Sequence, residues 1–171
     1  MADTTISADA SGRASWGFVF QHPAHAIAFG LGVGLVPKAP GTAGTLLAFP
    51  LYWALVPGIG PYAFLGAIAV LFLIGVWASA HTGHALGKAD HGGIVCDEVV
   101  AFLLVLFFTP AQPLWQAGAF LLFRLFDILK PPPIRHFDRT IRGGFGVMFD
   151  DLLAAFYALL VLAIARIATG S

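Results

Sequence analysis

Charged side chains are scarce in this sequence. Of its 171 residues, 11% are Asp, Glu, Lys or Arg and 58% are hydrophobic, and the mean hydropathy is +0.85. Ordinary soluble domains carry about 25% charged residues. A soluble fold of this length lacks the interior to hide so much apolar surface, so the composition predicts an integral membrane protein. The length suits one domain.

Several kinds of functional machinery are missing as well. The formal net charge is zero and no basic run occurs, so nothing favours a nucleic acid as partner. The single cysteine, Cys96, excludes an intrachain disulfide and a metal site built from several cysteines. Phe102 stands where a Cys-x5-Arg phosphatase loop needs arginine, and the sequence has neither a nucleotide-binding P-loop nor an H-E-x-x-H zinc motif.

Apolar runs predict the helices that cross the membrane. The clearest run covers residues 62–80, and further helices are expected over 99–108, 114–129 and 152–168. Residues 46–56 are too few for a full span and include Pro50, so this segment is expected to be tilted, kinked or partly inserted. A short helix is expected from about Pro23, and residues 131–146 are expected to form a polar loop.

The predicted fold is therefore all-α: a polytopic membrane bundle of about four to five membrane helices, in one domain over residues 16–171. Residues 1–15 lack the apolar core of a signal peptide and are expected to be a polar, mobile tail. The turns at 57–61 and 109–113 carry no charge, which places all the charged segments on one face of the membrane. Those segments hold seven Lys and Arg, against at most Arg166 on the other face, so the polar site is expected to face the cytoplasm.

Acidic residues gather where the apolar runs end, at Asp97, Glu98, Asp127, Asp150 and Asp151. Plain structural roles remain open, because Asp97 or a member of the Asp150–Asp151 pair can cap a helix, and Asp127 can form a buried ion pair with Arg124. Five carboxylates on one face would repel one another unless protons or a divalent cation joined them. Ligands that are all oxygen favour Mg²⁺, Mn²⁺ or Ca²⁺ over zinc.

Basic residues and a glycine-rich loop are expected near the same face. The basic residues are Lys38, Lys130, Arg135, Arg139 and Arg142. For each, contact with anionic lipid is an equally plain explanation. The loop at 40–45 offers free amides and the hydroxyls of Thr42 and Thr45, which is typical of an anion cradle, although an ordinary turn into a helix has the same pattern. Together with the carboxylates, these residues predict a site that hydrolyses a metal-bound lipid phosphate.

Three stretches of the sequence resemble one known family. They are GLVPKAPGTAGTLLAFP (34–50), DHGGIVCDEVV (90–100) and FRLFDILKPPPIRHFDRTIRGGFGVMFDDLLA (123–154). They look like the phosphatidylglycerophosphatase A family, in order and with matching gaps from about His22 to the last helix. The resemblance implies an all-helical, Mg²⁺-dependent phosphatase of the bacterial inner membrane. The implied reaction converts phosphatidylglycerophosphate to phosphatidylglycerol, the last step of phosphatidylglycerol synthesis.

The resemblance also implies roles for individual residues. The acidic motifs, implied to bind the metal and to act in catalysis, fall on Asp97, Glu98, Asp127, Asp150 and Asp151. The basic and loop positions, implied to bind the substrate, fall on Lys38, Thr42, Thr45, Lys130, Arg135 and Arg139. One carboxylate, directly or through the metal, is expected to activate the attacking water.

Two alternative functions remain open. A phosphatase or phosphotransferase for another lipid phosphate would use the same residues. A small cation transporter would also need carboxylates within the membrane. Against transport, a transporter needs ionisable groups near the middle of the bilayer, whereas residues 62–80 contain none and the charges gather on one face.

Overall fold

The computed structural model describes residues 14–170, so the predicted tail of residues 1–15 lies almost wholly outside the described residues. Every regular element within 14–170 is helical, which confirms the all-α prediction. The α-helices are α1 (Trp16–Gln21), α2 (Pro23–Ala28), α3 (Pro40–Leu55), α4 (Pro61–Ala85), α5 (Cys96–Phe108), α6 (Pro113–Leu129), α7 (Ile134–Thr140) and α8 (Gly143–Thr169). Two 3₁₀ helices, Gly30–Leu35 and Val56–Gly58, precede and follow α3.

Among the described residues, α4 and α8 are long and apolar enough to cross a membrane. They pack against each other, with α4 near the predicted run at 62–80. Only 28% of the most apolar window of α4 and 22% of that of α8 are buried, whereas the core helix of a soluble protein would be mostly buried. Leu73 and Ile164 are examples of their exposed apolar side chains. Both helices are therefore candidate membrane spans.

The centre of the bundle is α5, which contacts α3, α4, α6 and α8. Most of its side chains are buried, and Phe102 is fully enclosed. The ring of Phe102 lies 5.2 Å from that of Phe49 on α3 and 5.4 Å from that of Phe123 on α6, measured between centroids. A helix that is apolar all round is stable only inside such a shell, and this packing fixes where its polar first turn lies.

Two helix starts differ from the prediction. The apolar segment expected at 46–56 belongs to α3, which begins six residues earlier at Pro40 and contains Pro50. The capping role that the sequence leaves open for Asp97 is excluded, because Asp97 lies inside the first turn of α5 and Val95 is the N-cap residue. The first turns of α3 pack closely against the residue that precedes α5, since a Cβ on Gly44 would lie 2.8 Å from Val95.

The region before the last helix also differs from the prediction. The expected loop at 131–146 contains α7, and α8 begins at Gly143 rather than behind a capping carboxylate. Asp150 and Asp151 therefore lie about two turns inside α8, and the capping role is wrong for both. Gly144 packs so closely on α4 that a Cβ would lie 2.0 Å from a carbonyl oxygen there. The close approach leaves no room for a side chain at residue 144, so a glycine occupies the first turn of α8 despite its low helix propensity.

Candidate active site

A cavity of about 540 Å³ opens at one end of the bundle. The N-terminal ends of α5 and α8, the C-terminal end of α6 and the segment that follows α4 form its walls. Residues from both charged segments, 81–98 and 130–151, line it. Because the chain reverses direction between these helices, groups far apart in sequence share one space.

The five carboxylates singled out in the sequence all line this cavity, together with Asp90 and Asp138: they are Asp97, Glu98, Asp127, Asp150 and Asp151. Three of them converge, since one oxygen each of Asp97, Glu98 and Asp151 lies within 4.8 Å of the others. Oδ1 of Asp97, Oε2 of Glu98 and Oδ2 of Asp151 are buried and have no hydrogen-bond partner. Buried polar atoms are normally paired, and hard divalent cations take oxygen ligands. The trio thus fits a cation such as Mg²⁺.

The fourth carboxylate, Asp127, pairs with Arg124 one turn earlier on α6. Nη1 of Arg124 lies 2.5 Å from Oδ2 of Asp127. The same nitrogen lies 3.5 Å from Oε1 of Glu98 on α5 and 3.4 Å from Oγ1 of Thr45 on α3. The ion pair that the sequence left open is therefore present, and Arg124 links three helices.

The fifth carboxylate, Asp150, pairs with Lys130. Lys130 ends α6 in a left-handed backbone conformation, with φ 44°. Its ammonium donates hydrogen bonds to Asp150 and, at 2.6 Å, to Asp138. Burial opposes the charge, but the two carboxylates outweigh this effect and raise the pKa of Lys130. The ammonium therefore stays charged at neutral pH.

The start of α3 lies directly against this cluster. A Cβ on Gly41 would lie 2.0 Å from Oε1 of Glu98 and 3.1 Å from Nη1 of Arg124, so a side chain there would displace one of these groups or α3. One turn later, buried Thr45 donates a hydrogen bond to the carbonyl oxygen of Gly41 at 2.9 Å. The glycine-threonine loop thus packs against the acidic cluster, as the first turns of a helix.

Comparison with known proteins adds a family to this geometry. The sequence pattern of the phosphatidylglycerophosphatase A family matches residues 26–166. A phosphatidylglycerophosphatase A of Haemophilus influenzae is 45% identical over 142 residues, which cover 82% of this chain and 87% of that protein. One of Escherichia coli is 40% identical over 136 residues, 78% of either chain. The chain belongs to the phosphatidylglycerophosphatase A family. As a member of it, the protein is a phosphatase, and the resemblance read from the sequence is confirmed.

A further relative has a different name. A protein of Bacteroides thetaiotaomicron is 38% identical over 152 residues, which cover 84% of this chain and 94% of that protein. It bears the provisional name phosphatidylinositol-3-phosphatase. No solved structure matches the chain.

Most of the basic and loop positions that the family resemblance implies do not line the cavity. Lys130 lines it, whereas the other five do not: Lys38, Thr42, Thr45, Arg135 and Arg139. Lys38, Arg135 and Arg139 are exposed. Their part in substrate binding stays a prediction.

Two basic residues that line the cavity, Arg124 and Arg142, are absent from the predicted substrate-binding set. Both lie within the residues that match the phosphatidylglycerophosphatase A family. Arg124 could have been assigned from the sequence, because its i, i+3 spacing to Asp127 puts both on one side of a helix. The sequence already places Arg142 among the basic residues near the same face, and it lies at the cavity because α8 begins immediately after it.

Proposed function

We propose that the protein hydrolyses phosphatidylglycerophosphate to phosphatidylglycerol and phosphate, as the last step of phosphatidylglycerol synthesis. The observation that carries this proposal is the convergence of Asp97, Glu98 and Asp151 in a cavity that also holds Arg124 and Lys130. Such a site offers oxygen ligands to a cation and N–H donors to a phosphate. The names of the two phosphatidylglycerophosphatase A relatives support the choice of lipid.

The proposed cofactor is Mg²⁺, held by Asp97, Glu98 and Asp151. Their unpartnered oxygens support this assignment. When bound, the ion would offset the charge of the phosphate and polarise it for attack. The proposal narrows the five ligands expected from the family resemblance to three.

The two remaining carboxylates are proposed to act on the substrate side. Asp127 forms the closest ion pair of Arg124, and Asp150 is bonded to Lys130, so each of these two carboxylates already has a cationic partner. Oδ1 of Asp150 is buried without a partner and belongs to a residue that lines the cavity. We assign to Asp150 the proton of the attacking water. The water oxygen bonds to phosphorus, the ester bond breaks, and the lipid oxygen leaves as a hydroxyl with that proton.

The arrangement in the membrane is proposed from the positions of the helix ends. Beside the cavity α4 and α6 end and α5 and α8 begin, so four helices bring it to one end of the bundle. Lys130 and Arg142 lie at that end, whereas Arg166 lies near the far end of α8. By the positive-inside rule, we place the cavity at the cytoplasmic headgroups of a multi-pass protein of the inner membrane.

Phosphate release by purified protein in detergent tests the proposal. The substrates are phosphatidylglycerophosphate, phosphatidic acid and phosphatidylinositol 3-phosphate, each with Mg²⁺ and with EDTA. We expect fast release from the first lipid alone, and only with Mg²⁺. The Asp151→Asn variant, purified in parallel, controls for contaminating phosphatases. No release from any lipid by folded, Mg²⁺-loaded protein would contradict the proposal.

A second candidate function is hydrolysis of another lipid phosphate. The name of the Bacteroides thetaiotaomicron relative favours it. Faster release from phosphatidylinositol 3-phosphate than from phosphatidylglycerophosphate would select this candidate. Equal rates on all three lipids would keep the phosphatase activity and remove the selectivity.

A further inference from the structure

The guanidinium group of Arg124 is anchored on one side. Its three contacts, with Asp127, Thr45 and Glu98, all use Nη1. None of them uses the opposite edge, which carries Nε and Nη2. Nε is buried and has no hydrogen-bond partner.

An unused edge of this kind indicates a missing acceptor. Burying an N–H group without an acceptor costs free energy, so such groups usually have a partner in the functional state. The Nε–Nη2 edge presents two parallel N–H donors, which match two oxygens of a phosphate. Arg124 also lines the cavity that contains the converging trio Asp97, Glu98 and Asp151.

We propose that the Nε–Nη2 edge of Arg124 binds the phosphate group of the substrate through two N–H···O bonds, while Nη1 stays bonded to Asp127. The lipid that carries the phosphate is taken from the proposed function. The phosphate contact itself can be tested without turnover. Anchoring by Asp127 and Thr45 fixes the guanidinium plane in advance, which lowers the entropy cost of binding.

The other cations near the cavity are less suited to this contact. The ammonium of Lys130 already donates to Asp138 and Asp150. Arg142 is exposed, so water competes for its donors. Among the described residues that line the cavity, Arg124 is the cation that is largely buried and still has a buried donor without a partner.

Replacement of Arg124 by lysine tests the Nε–Nη2 edge separately from the contact that Nη1 makes with Asp127. Lysine keeps the charge and can still reach Asp127, but it cannot present two parallel donors to a phosphate. The probe is inorganic phosphate, titrated calorimetrically into folded protein in detergent at saturating Mg²⁺. We expect Arg124→Lys to weaken phosphate binding about 10- to 100-fold, since one charge-assisted bond is lost. Arg166→Lys, near the far end of α8, serves as the matched control and should bind phosphate like the wild type.

A metal titration separates phosphate binding from a purely positioning role. Mn²⁺ binding without phosphate, followed by electron paramagnetic resonance, should stay within about threefold of the wild type in Arg124→Lys, because its ligands remain. Unchanged phosphate affinity overturns the proposal. An equal loss of Mn²⁺ and phosphate affinity also overturns it, because Arg124 would then only position Glu98.

A measurement on the wild type does not depend on the folding of any variant. In protein labelled with ¹⁵N-arginine, a buried Nε–H should give a slowly exchanging resonance, which Mg²⁺ and phosphate together should shift. An unchanged resonance at saturating phosphate contradicts the proposal. Phosphate binding by Arg124 in a protein that hydrolyses no lipid phosphate would refute the proposed function and leave this inference standing. Normal hydrolysis with unchanged phosphate affinity in Arg124→Lys would refute this inference and leave the proposed function standing.

Discussion

Gly41 and Glu98 are in direct contact, so close that a Cβ on Gly41 would lie 2.0 Å from Oε1 of Glu98. The contact joins the start of α3 to the start of α5. A side chain at residue 41 would push the Glu98 carboxylate away from Asp97 and Asp151, or force α3 to move. The geometry of the acidic trio therefore depends on a glycine in another helix.

Gly41→Ala should lower the rate of phosphate release at least about tenfold, because it displaces the Glu98 carboxylate. A tenfold lower rate corresponds to a loss of about 1.4 kcal/mol of transition-state stabilisation. Gly118→Ala on α6 is the control, because a Cβ there meets nothing within 4 Å. The control should keep full activity and gain up to about 1 kcal/mol of stability from helix propensity. Full activity in Gly41→Ala would show that the contact does not constrain the site.

The five carboxylates should separate into two groups when Mn²⁺ binding is measured by electron paramagnetic resonance. Asp97→Asn and Asp151→Asn remove converging oxygens and should weaken Mn²⁺ binding at least about tenfold, because each removes a charged ligand. Asp127→Asn should change it little, because Arg124 already holds that carboxylate. Equal losses in all three variants would restore the larger ligand set expected from the family resemblance.

Lys130→Met should destabilise the protein by about 1–3 kcal/mol, because it leaves the largely buried Asp150 without its donor. For a chain of this size, each kcal/mol lowers Tm by about 2–4 °C. Thermal unfolding in detergent measures the change. Lys130→Met combined with Asp150→Asn should lose less than the sum of the single variants, and simple additivity would mean that the pair is not coupled.

A cluster of histidine rings joins α2 to α4 and predicts a pH effect on stability. His25 is buried, and its Nδ1 lies 2.9 Å from Oγ1 of Thr82. Burial, and then the neighbouring His81 and His22, lower the pKa of His25. The folded protein thus favours the neutral ring. This contribution to stability is complete above the unfolded pKa of 6.5 and is lost as the pH falls through the lowered folded pKa.

Unfolding temperatures at pH 7.5 and pH 5 test this effect. The wild type should lose more stability between the two values than His25→Asn, which cannot take up the proton. His84→Asn, at an exposed residue, serves as the control and should show the same pH dependence of stability as the wild type. The same pH dependence in His25→Asn and in the wild type would exclude His25 as its source.

The fold could be predicted wherever one local signal dominated. The apolar run at 62–80 lies inside α4, and α6 begins one residue before the run at 114–129 and ends with it. The start of α8 could not be predicted, because glycine has a low helix propensity and the close contact of Gly144 with α4 forms only in the folded chain. Local propensity and tertiary packing point in opposite directions there.

The sequence predicted the positions of the acidic residues in the candidate site better than those of the basic residues. Asp97, Asp127 and Asp151 were expected to lie together because turns without charge bring their helix ends to one face, and all three line the cavity. Which of the cations between α6 and α8 points inward depends on loop geometry, which the sequence does not specify. Exposed Arg135 was expected at the substrate, whereas Arg124 lines the cavity.

The most direct test of the proposed active site is phosphate release from phosphatidylglycerophosphate by Asp151→Asn across a Mg²⁺ titration. Asp9→Asn, which precedes the residues that match the family, is the control and should act like the wild type. We expect Asp151→Asn to fold with a Tm close to that of the wild type and to lose at least about 100-fold in rate, even at high Mg²⁺. A folded Asp151→Asn protein that releases phosphate at the wild-type rate would show that the reaction occurs elsewhere.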